Sequence, residues 1–316
     1  MSEKVCLVVS EDLASYGFGD GHPFGTDRQS AFLSKTRSRG LDAKAHVVGS
    51  RQATRGELER FHTVDYVNRV IVKSQQGVGY LDYGDTPAYI GVFESSSHVV
   101  GAALTSLDAV MAGTCKRSFQ PIGGLHHARR DRAAGFCVFN DVGVVIETLR
   151  SEYRVRRVAY VDIDVHHGDG LYYPFESDPD VIIADLHEDG DYLYPGTGHA
   201  WESGKGAAEG TKLNISMPPG AGDAEFLRQW EYAEAHLAKF KPEFFLLQCG
   251  ADGLAGDPIA HLRYSPAAHA HAAMRLCALA DRYAGGRLMA FGGGGYNRTN
   301  IALAWNAVLE ALIEAP

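Results

Sequence analysis

The chain has 316 residues, 45% of them hydrophobic and 22% charged, with a formal net charge of −9. That balance is ordinary for a soluble globular protein, and the acidic excess argues against generic binding to nucleic acid or to an anionic membrane. No apolar run reaches the roughly 18 residues that a membrane span needs.

The start, MSEKVCLVVSEDL, has too short an apolar core for a signal peptide, so VCLVV (5–9) reads as a first strand. Helical patterns follow near 26–39, 54–75 and 91–112, the second opened by the capping box TRGE (54–57). A glycine-flanked loop, GGLHHARRDRAAGFCVFND (123–141), leads into a helix near 140–152. Its basic cluster ARRDR (128–132), like RVRR (154–157), reads as a solvated face or helix end. Strands are expected at VAYVDI (158–163), VIIADL (181–186), KLNISM (212–217), EFFLLQC (243–249) and RLMAF (287–291), with helices near 223–239, 266–284 and 299–313. Several of these strands are apolar at successive positions, as strands buried on both faces are. Alternation of strand and helix argues for a mostly parallel sheet flanked by helices, and the absence of repeats or linkers for one domain over 1–316. Five cysteines (Cys6, Cys115, Cys137, Cys249 and Cys277) show no C-x-x-C spacing and sit in apolar runs. Free buried thiols and a cytoplasmic location are the expectation.

In open α/β sheets, sites form beyond the carboxyl ends of strands. VAYVDI runs into DVHHGDG, FFLLQC into GADGLAGDP, and RLMAF into GGGGYN. Asp164 and His166 are two apart and share a side in extended backbone. With Asp252 they offer three ligands to one divalent ion and leave a position open, the pattern of a catalytic site. Two aspartates and one histidine suit zinc, and as an oxygen-rich set they could also serve Fe(II) or Co(II). A binuclear hydrolase of the arginase type would use the same residue types, with Asp162, Asp169 and His126 available to a second ion. The adjacent His126 and His127 suit acid–base work, and Asp162 and Asp169 could fix their tautomers. GGGGYN fits a tight strand-to-helix turn, and its Tyr296 could also donate a hydroxyl to substrate.

Together, YVDIDVHHGDG, GGLHHA, GFCVFND, PGTG (195–198), GADGLAGDP and GGGGYN resemble, in order, the motifs of zinc-dependent histone deacetylases and their bacterial relatives. The stretches YGFGDGHPFGTDR (16–28) and GDTPAYIGVFE (84–94) are similar to the acetoin-utilisation (AcuC) branch and to class I enzymes. The resemblance runs from residue 5 to 313 and implies a single-domain arginase/deacetylase α/β fold. It implies that Asp164, His166 and Asp252 hold zinc, that His126 and His127 are the tandem histidines backed by Asp162 and Asp169, and that Tyr296 is catalytic. Gly135, Phe136 and Tyr194 match the acyl-lysine tunnel wall, Arg28 the inner acetate-release cavity and Asp85 the rim. Asp162, Asp164, His166 and Leu186 match a structural potassium site, where Asp185 replaces the usual serine. Ile259 stands where a polyamine-selective relative carries an acidic gatekeeper. A long nuclear-type tail after the last helix is not expected.

On that resemblance His127 is the general base and then acid, His126 acts electrostatically, and Tyr296 donates to the oxyanion. The expected substrates are acetylated proteins or peptides, the alternative acetylpolyamines or another small acetylated amine. A non-enzymatic acetyl-lysine reader would need broken catalytic groups, and every one is present. An oligomer is compatible with the sequence.

Overall fold

A computed structural model describes residues 5–19 and 21–316. Asp20 of the GFGDGHP stretch and the first four residues lie outside the described residues. The strands are β1 (Val5–Val8), β2 (His46–Val48), β3 (Arg117–Gln120), β4 (Val158–Asp162), β5 (Val181–Glu188), β6 (Lys212–Met217), β7 (Phe244–Gln248) and β8 (Leu288–Phe291). They form one eight-stranded sheet in the order β2-β1-β3-β8-β7-β4-β5-β6, with every pairing parallel. The helices are α1 (Glu11–Ala14), α2 (Arg28–Ser38), α3 (Arg55–Leu58), α4 (Val64–Gln76), α5 (Val92–Met111), α6 (Asp141–Ser151), α7 (Asp169–Phe175), α8 (Asp223–Phe240), α9 (Pro266–Tyr283) and α10 (Arg298–Glu314). They cover the sheet: α5 packs on β1, β3 and β8, α9 on β7 and β8, and α8 on β5 and β6. No helix among the described residues is long and apolar enough to cross a membrane.

All six strands read from apolar runs form. Two strands escape that reading. β2 is three residues on the sheet edge. β3 is RSFQ, polar in sequence yet buried throughout. Its two longest polar side chains find partners inside: Arg117 donates to the carbonyls of Leu312, Ala315 and Pro316 and to Asp281, while Gln120 donates to the carbonyls of Val99 and Ile122. The helix expected over 54–75 is two. Thr54 and Glu57 form the capping box of α3, and Thr63 caps α4 by accepting from the Tyr66 N–H. α4 stops at Gly77, whose φ of 66° is left-handed.

The cysteine expectation needs correction. Cys6 and Cys115 form a disulfide, while Cys137, Cys249 and Cys277 are free and buried. The two partners are 109 residues apart, and only the pairing of β1 with β3 brings them together, so no local spacing announces the bond. The ARRDR cluster also departs from a solvated face. Arg130 donates to the Phe61 carbonyl and to Glu147, and Arg129 reaches Asp169.

Arg117→Met will remove the partner of Asp281 and of three carbonyls at the chain end. We expect a loss of about 2–4 kcal/mol, read as a lower urea midpoint with an unchanged slope. A loss under about 0.5 kcal/mol would mean that water replaces the guanidinium there.

Candidate active site

β3, β8, β7 and β4 are consecutive neighbours and parallel, so their carboxyl ends share one edge. The four motif-bearing loops leave from those ends: GGLHHA after β3, GGGGYN after β8, GADGLAGDP after β7 and DVHHGDG after β4. Segments distant in the chain thus converge on one point.

There, Asp164, His166 and Asp252 bring their ligating atoms within 4.8 Å of one another, all three buried. His166 Nδ1 lies 3.0 Å from Asp164 Oδ1 and 3.3 Å from Asp252 Oδ2. The remaining carboxylate oxygens are occupied: Asp164 Oδ2 accepts from Gln248 Nε2 and the Gly294 N–H, both at 2.8 Å, and Asp252 Oδ1 accepts from the Val165 N–H. Asp252 Oδ2 is buried without a hydrogen-bond partner. Two buried carboxylates, one unsatisfied oxygen and one imidazole fit a single divalent cation. The local field agrees. Burial opposes charge on His166, yet the carboxylates of Asp164 and Asp252 beside it outweigh this and hold its pKa up, at about 10. A second acidic group, Asp189, Asp191 and His199, is as compact but faces solvent.

Glycine is required where the backbone closes on these carboxylates. A Cβ on Gly294 would lie 2.1 Å from Asp252 Oδ2 and 2.8 Å from Asp164 Oδ2. The GGGG run is therefore a turn that also lets main chain approach these two carboxylates.

The two histidines are each backed by a carboxylate. His126 Nδ1 is 2.7 Å from Asp162 Oδ2, and His127 Nδ1 is 2.7 Å from Asp169 Oδ1. With each Nδ1–H given to a carboxylate, the two Nε2 atoms, 3.1 Å apart, need one proton between them, since two lone pairs would repel. His126 takes it. Burial opposes its charge, but Asp162 and Asp164 prevail and raise its pKa to about 9. For His127, burial and the neighbouring His126 charge act together and lower the pKa to about 4, against the pull of Asp169. Asp162 also accepts from the Tyr160 hydroxyl and the Asp164 N–H, and Asp169 from Arg129.

A cavity of about 180 Å³ leads to this centre, lined by Asp85, His127, Gly135, Phe136, His166, Tyr194, Ile259 and Tyr296. Phe136 meets Tyr296 edge-on at 5.7 Å, and Tyr194 meets His127 at 5.1 Å. Phe136 adopts a left-handed φ of 67°, unusual for a bulky residue. The Tyr16 hydroxyl donates to its carbonyl and Thr86 Oγ1 accepts from its N–H. Gly135 tolerates no side chain, since a Cβ there would lie 2.5 Å from the His127 ring. Tyr296 stays protonated: burial, then Asp252 and Asp164, push its pKa well above the usual tyrosine range.

Arg28, Asp185 and Leu186 are not among the residues that line this cavity. Arg28 is fully buried behind the GGGG turn, donating to the Gly293 and Gly295 carbonyls, with its guanidinium 3.9 Å from the Phe24 ring centroid. Asp185 pairs with Asp162 across β5 and β4. Its carboxylate already binds His187 Nδ1 at 2.7 Å and the Gly168 N–H at 2.9 Å. Leu186 is buried beside it in β5 and offers a cation only its carbonyl. Sequence reasoning missed Gln248, Arg129, Asp141 and Asp257. Asp141 accepts from the Gly124 and Leu125 N–H groups and so shapes the loop bearing the histidines. Each is a polar residue inside or beside a quoted motif, with no spacing of its own to mark what it does.

The histone deacetylase domain family matches residues 22–312 of the chain. The chain is 35% identical over 299 residues to the acetoin utilization protein AcuC of Bacillus subtilis (strain 168), covering 92% of this chain and 77% of that protein. It is 34% identical over 324 residues to AcuC of Staphylococcus aureus (strain MSSA476), covering 100% and 83%. Among solved structures, the HD domain of HDA15 superposes with a TM-score of 0.91 at 26% identity, covering 100% of this chain and 89% of that one.

Gly294→Ala should drive a methyl into Asp252 and Asp164. We expect bound divalent metal, about one equivalent per wild-type chain, to fall several-fold by elemental analysis while the fold persists by circular dichroism. Unchanged metal content would show that the turn can retreat. Asp169→Asn tests the His127–Asp169 pair. With His127 acting as a neutral base, activity is expected to fall as pH drops through its pKa. The Asp169 charge raises that pKa, so its loss should shift the acid limb of kcat/KM to lower pH and cut kcat about 10- to 100-fold. A limb that moves upward would assign the titration to another group.

Proposed function

Because the chain belongs to the histone deacetylase family, we propose that it hydrolyses the amide of acetylated lysine side chains in proteins or peptides, using one divalent ion held by Asp164, His166 and Asp252. The family and its AcuC relatives support the coarser statement, a metal-dependent deacetylase. The observation that supports the finer one is the cavity: about 180 Å³, with apolar and aromatic walls (Phe136, Tyr194, Ile259), lined also by His127, His166 and Tyr296. A linear aliphatic stem fits such a passage, and only the amide meets polar groups.

The cation, zinc or else Fe(II) or Co(II), would supply Lewis acidity and an acidified water. The protein's part is proton transfer and positioning. His127, neutral and braced by Asp169, takes a proton from the attacking water and returns it to the leaving amine. His126 keeps its proton and places positive charge beside the reacting carbonyl. Tyr296, a protonated phenol, donates to the oxygen that gains charge. A binuclear arrangement lacks ligands, because Asp162 is taken by His126 and Tyr160 and Asp169 by His127 and Arg129. A structural monovalent cation, potassium in the family pattern, belongs with the Asp162, Asp164, His166, Asp185 and Leu186 cluster. The matching domain and the sheet around it form one catalytic unit over 1–316.

A small acetylated amine is the second reading, favoured by the exposed carboxylate of Asp85 at the mouth. Ile259, apolar at the wall, favours the peptide. The discriminating experiment is kcat/KM on acetyl-lysine peptides beside acetylputrescine and acetylcadaverine, for wild type and Asp85→Ala. We expect peptides to be preferred and Asp85→Ala to cost them about tenfold or more, since a backbone N–H loses its charged acceptor, with diamines much less affected. Preference for the diamines, or an equal loss on both, would overturn the peptide assignment.

A further inference from the structure

We infer that Asp257 is a positioning residue that aims Tyr296, an inference that rests on the deacetylase function proposed above. Asp257 lies in the loop after β7 and is 8% exposed. Its Oδ2 accepts from the Tyr296 N–H at 2.9 Å and from the Asn297 N–H at 3.3 Å, and its Oδ1 from the Ile259 N–H at 3.2 Å. One carboxylate therefore ties together two tunnel walls, the one that carries Tyr296 and the one that carries Ile259.

The turn needs such a tether. Gly293 and Gly295 have φ of 77° and 118°, and four successive glycines leave the backbone before Tyr296 wide conformational freedom. Glycines bring no side chains to pack, so backbone hydrogen bonds must fix the turn. Arg28 holds the Gly293 and Gly295 carbonyls from behind. The Ala251 N–H holds the Gly294 carbonyl at 3.0 Å. Asp257 is the side chain that grips the exit, at the residue whose phenol faces substrate. The Asn297 side chain completes the clamp by donating to the Gly256 carbonyl at 3.2 Å while its Oδ1 caps α10.

An anionic oxygen suits this role. Two N–H groups converge on a single atom, and charge-assisted bonds are about twice as strong as neutral ones. An asparagine there keeps one acceptor oxygen. It must then turn an NH₂ group toward either the Tyr296 and Asn297 N–H groups or that of Ile259. A displaced Tyr296 would still let substrate enter, so the effect belongs in kcat.

The test is a double-mutant cycle on the full-length, metal-loaded enzyme: Asp257→Asn and Tyr296→Phe, singly and combined. Readouts are kcat and KM on the best substrate of the panel above, with metal content and Tm. We expect Tyr296→Phe to cost about 10²–10³ in kcat. Asp257→Asn should cost about 10- to 100-fold in kcat with KM within about threefold. The combination should fall no more than about threefold below Tyr296→Phe, because a misaimed phenyl ring has nothing left to lose. Fully multiplying losses, or an Asp257→Asn enzyme within about threefold of wild type, would overturn the inference. If Asp257→Asn does not fold, Asp257→Ser replaces it in the cycle, and failure of both to fold would reassign Asp257 to stability alone. A wild-type enzyme inactive on every acylated amine would overturn the function itself, a result distinct from any outcome of the cycle.

Discussion

Four carboxylates, those of Asp162, Asp164, Asp185 and Asp252, are buried together at one edge of the sheet, each at most 1% exposed. Removing such charges from water costs several kcal/mol apiece unless they are matched. Asp162 is matched by Tyr160, His126 and the Asp164 N–H. Asp185 is matched by His187 and the Gly168 N–H. Asp164 holds Gln248, the Gly294 N–H and His166. Asp252 has one N–H and one orphaned oxygen. The protein's own donors thus leave compensation incomplete at one carboxylate, beside the one imidazole nitrogen placed to share a cation with it.

That requirement explains the glycines. Donors that reach a buried carboxylate from the main chain demand backbone contact closer than a Cβ allows. At Gly250 a Cβ would lie 1.9 Å from Asp164 Oδ2, as intolerable as the one at Gly294. The same residues make the loops pliant, and pliancy must be removed elsewhere. Arg28, Asp257, Asp141 and Gln248 do this by bonding loop backbone. They are buried polar groups whose job is geometric, and their bonds to the loop backbone are what make the constellation a single arrangement.

The sequence made the site more legible than the sheet that carries it. Runs such as VAYVD and FFLLQ reveal themselves because both their faces are buried, and DVHHGDG reveals itself because so much charge follows one of them. β3 stayed hidden because Arg117 and Gln120 read as surface residues, although tertiary partners bury them. The break between α3 and α4 was missed because Thr63 caps α4 within a continuous helical pattern. The disulfide was missed because strand pairing, not spacing, joins Cys6 to Cys115. The bracing residues were missed because a lone Asp, Gln or Arg near a motif has no periodic signature, and its meaning lies in which N–H or carbonyl it meets.

Two histidines adjacent in sequence, each backed by an aspartate, would be expected to titrate alike. They diverge because their surroundings differ in charge. His126 Nε2 is 3.9 Å from Asp164 as well as bonded to Asp162, so two carboxylates favour its proton. His127 looks instead into the tunnel beside Tyr194, and the carboxylate behind it is shared. Arg129 donates to Asp169 at 2.7 Å. Burial opposes the Asp169 charge, but His127 and then Arg129 prevail and hold its pKa near 2. A carboxylate already neutralised by a guanidinium pulls less on an imidazole proton, so Asp169 orients His127 without charging it. One histidine is thereby kept as a fixed positive charge and the other as a free base. The split arises from which neighbours face each ring, and Arg129, from a cluster that looked like mere surface, helps to set it.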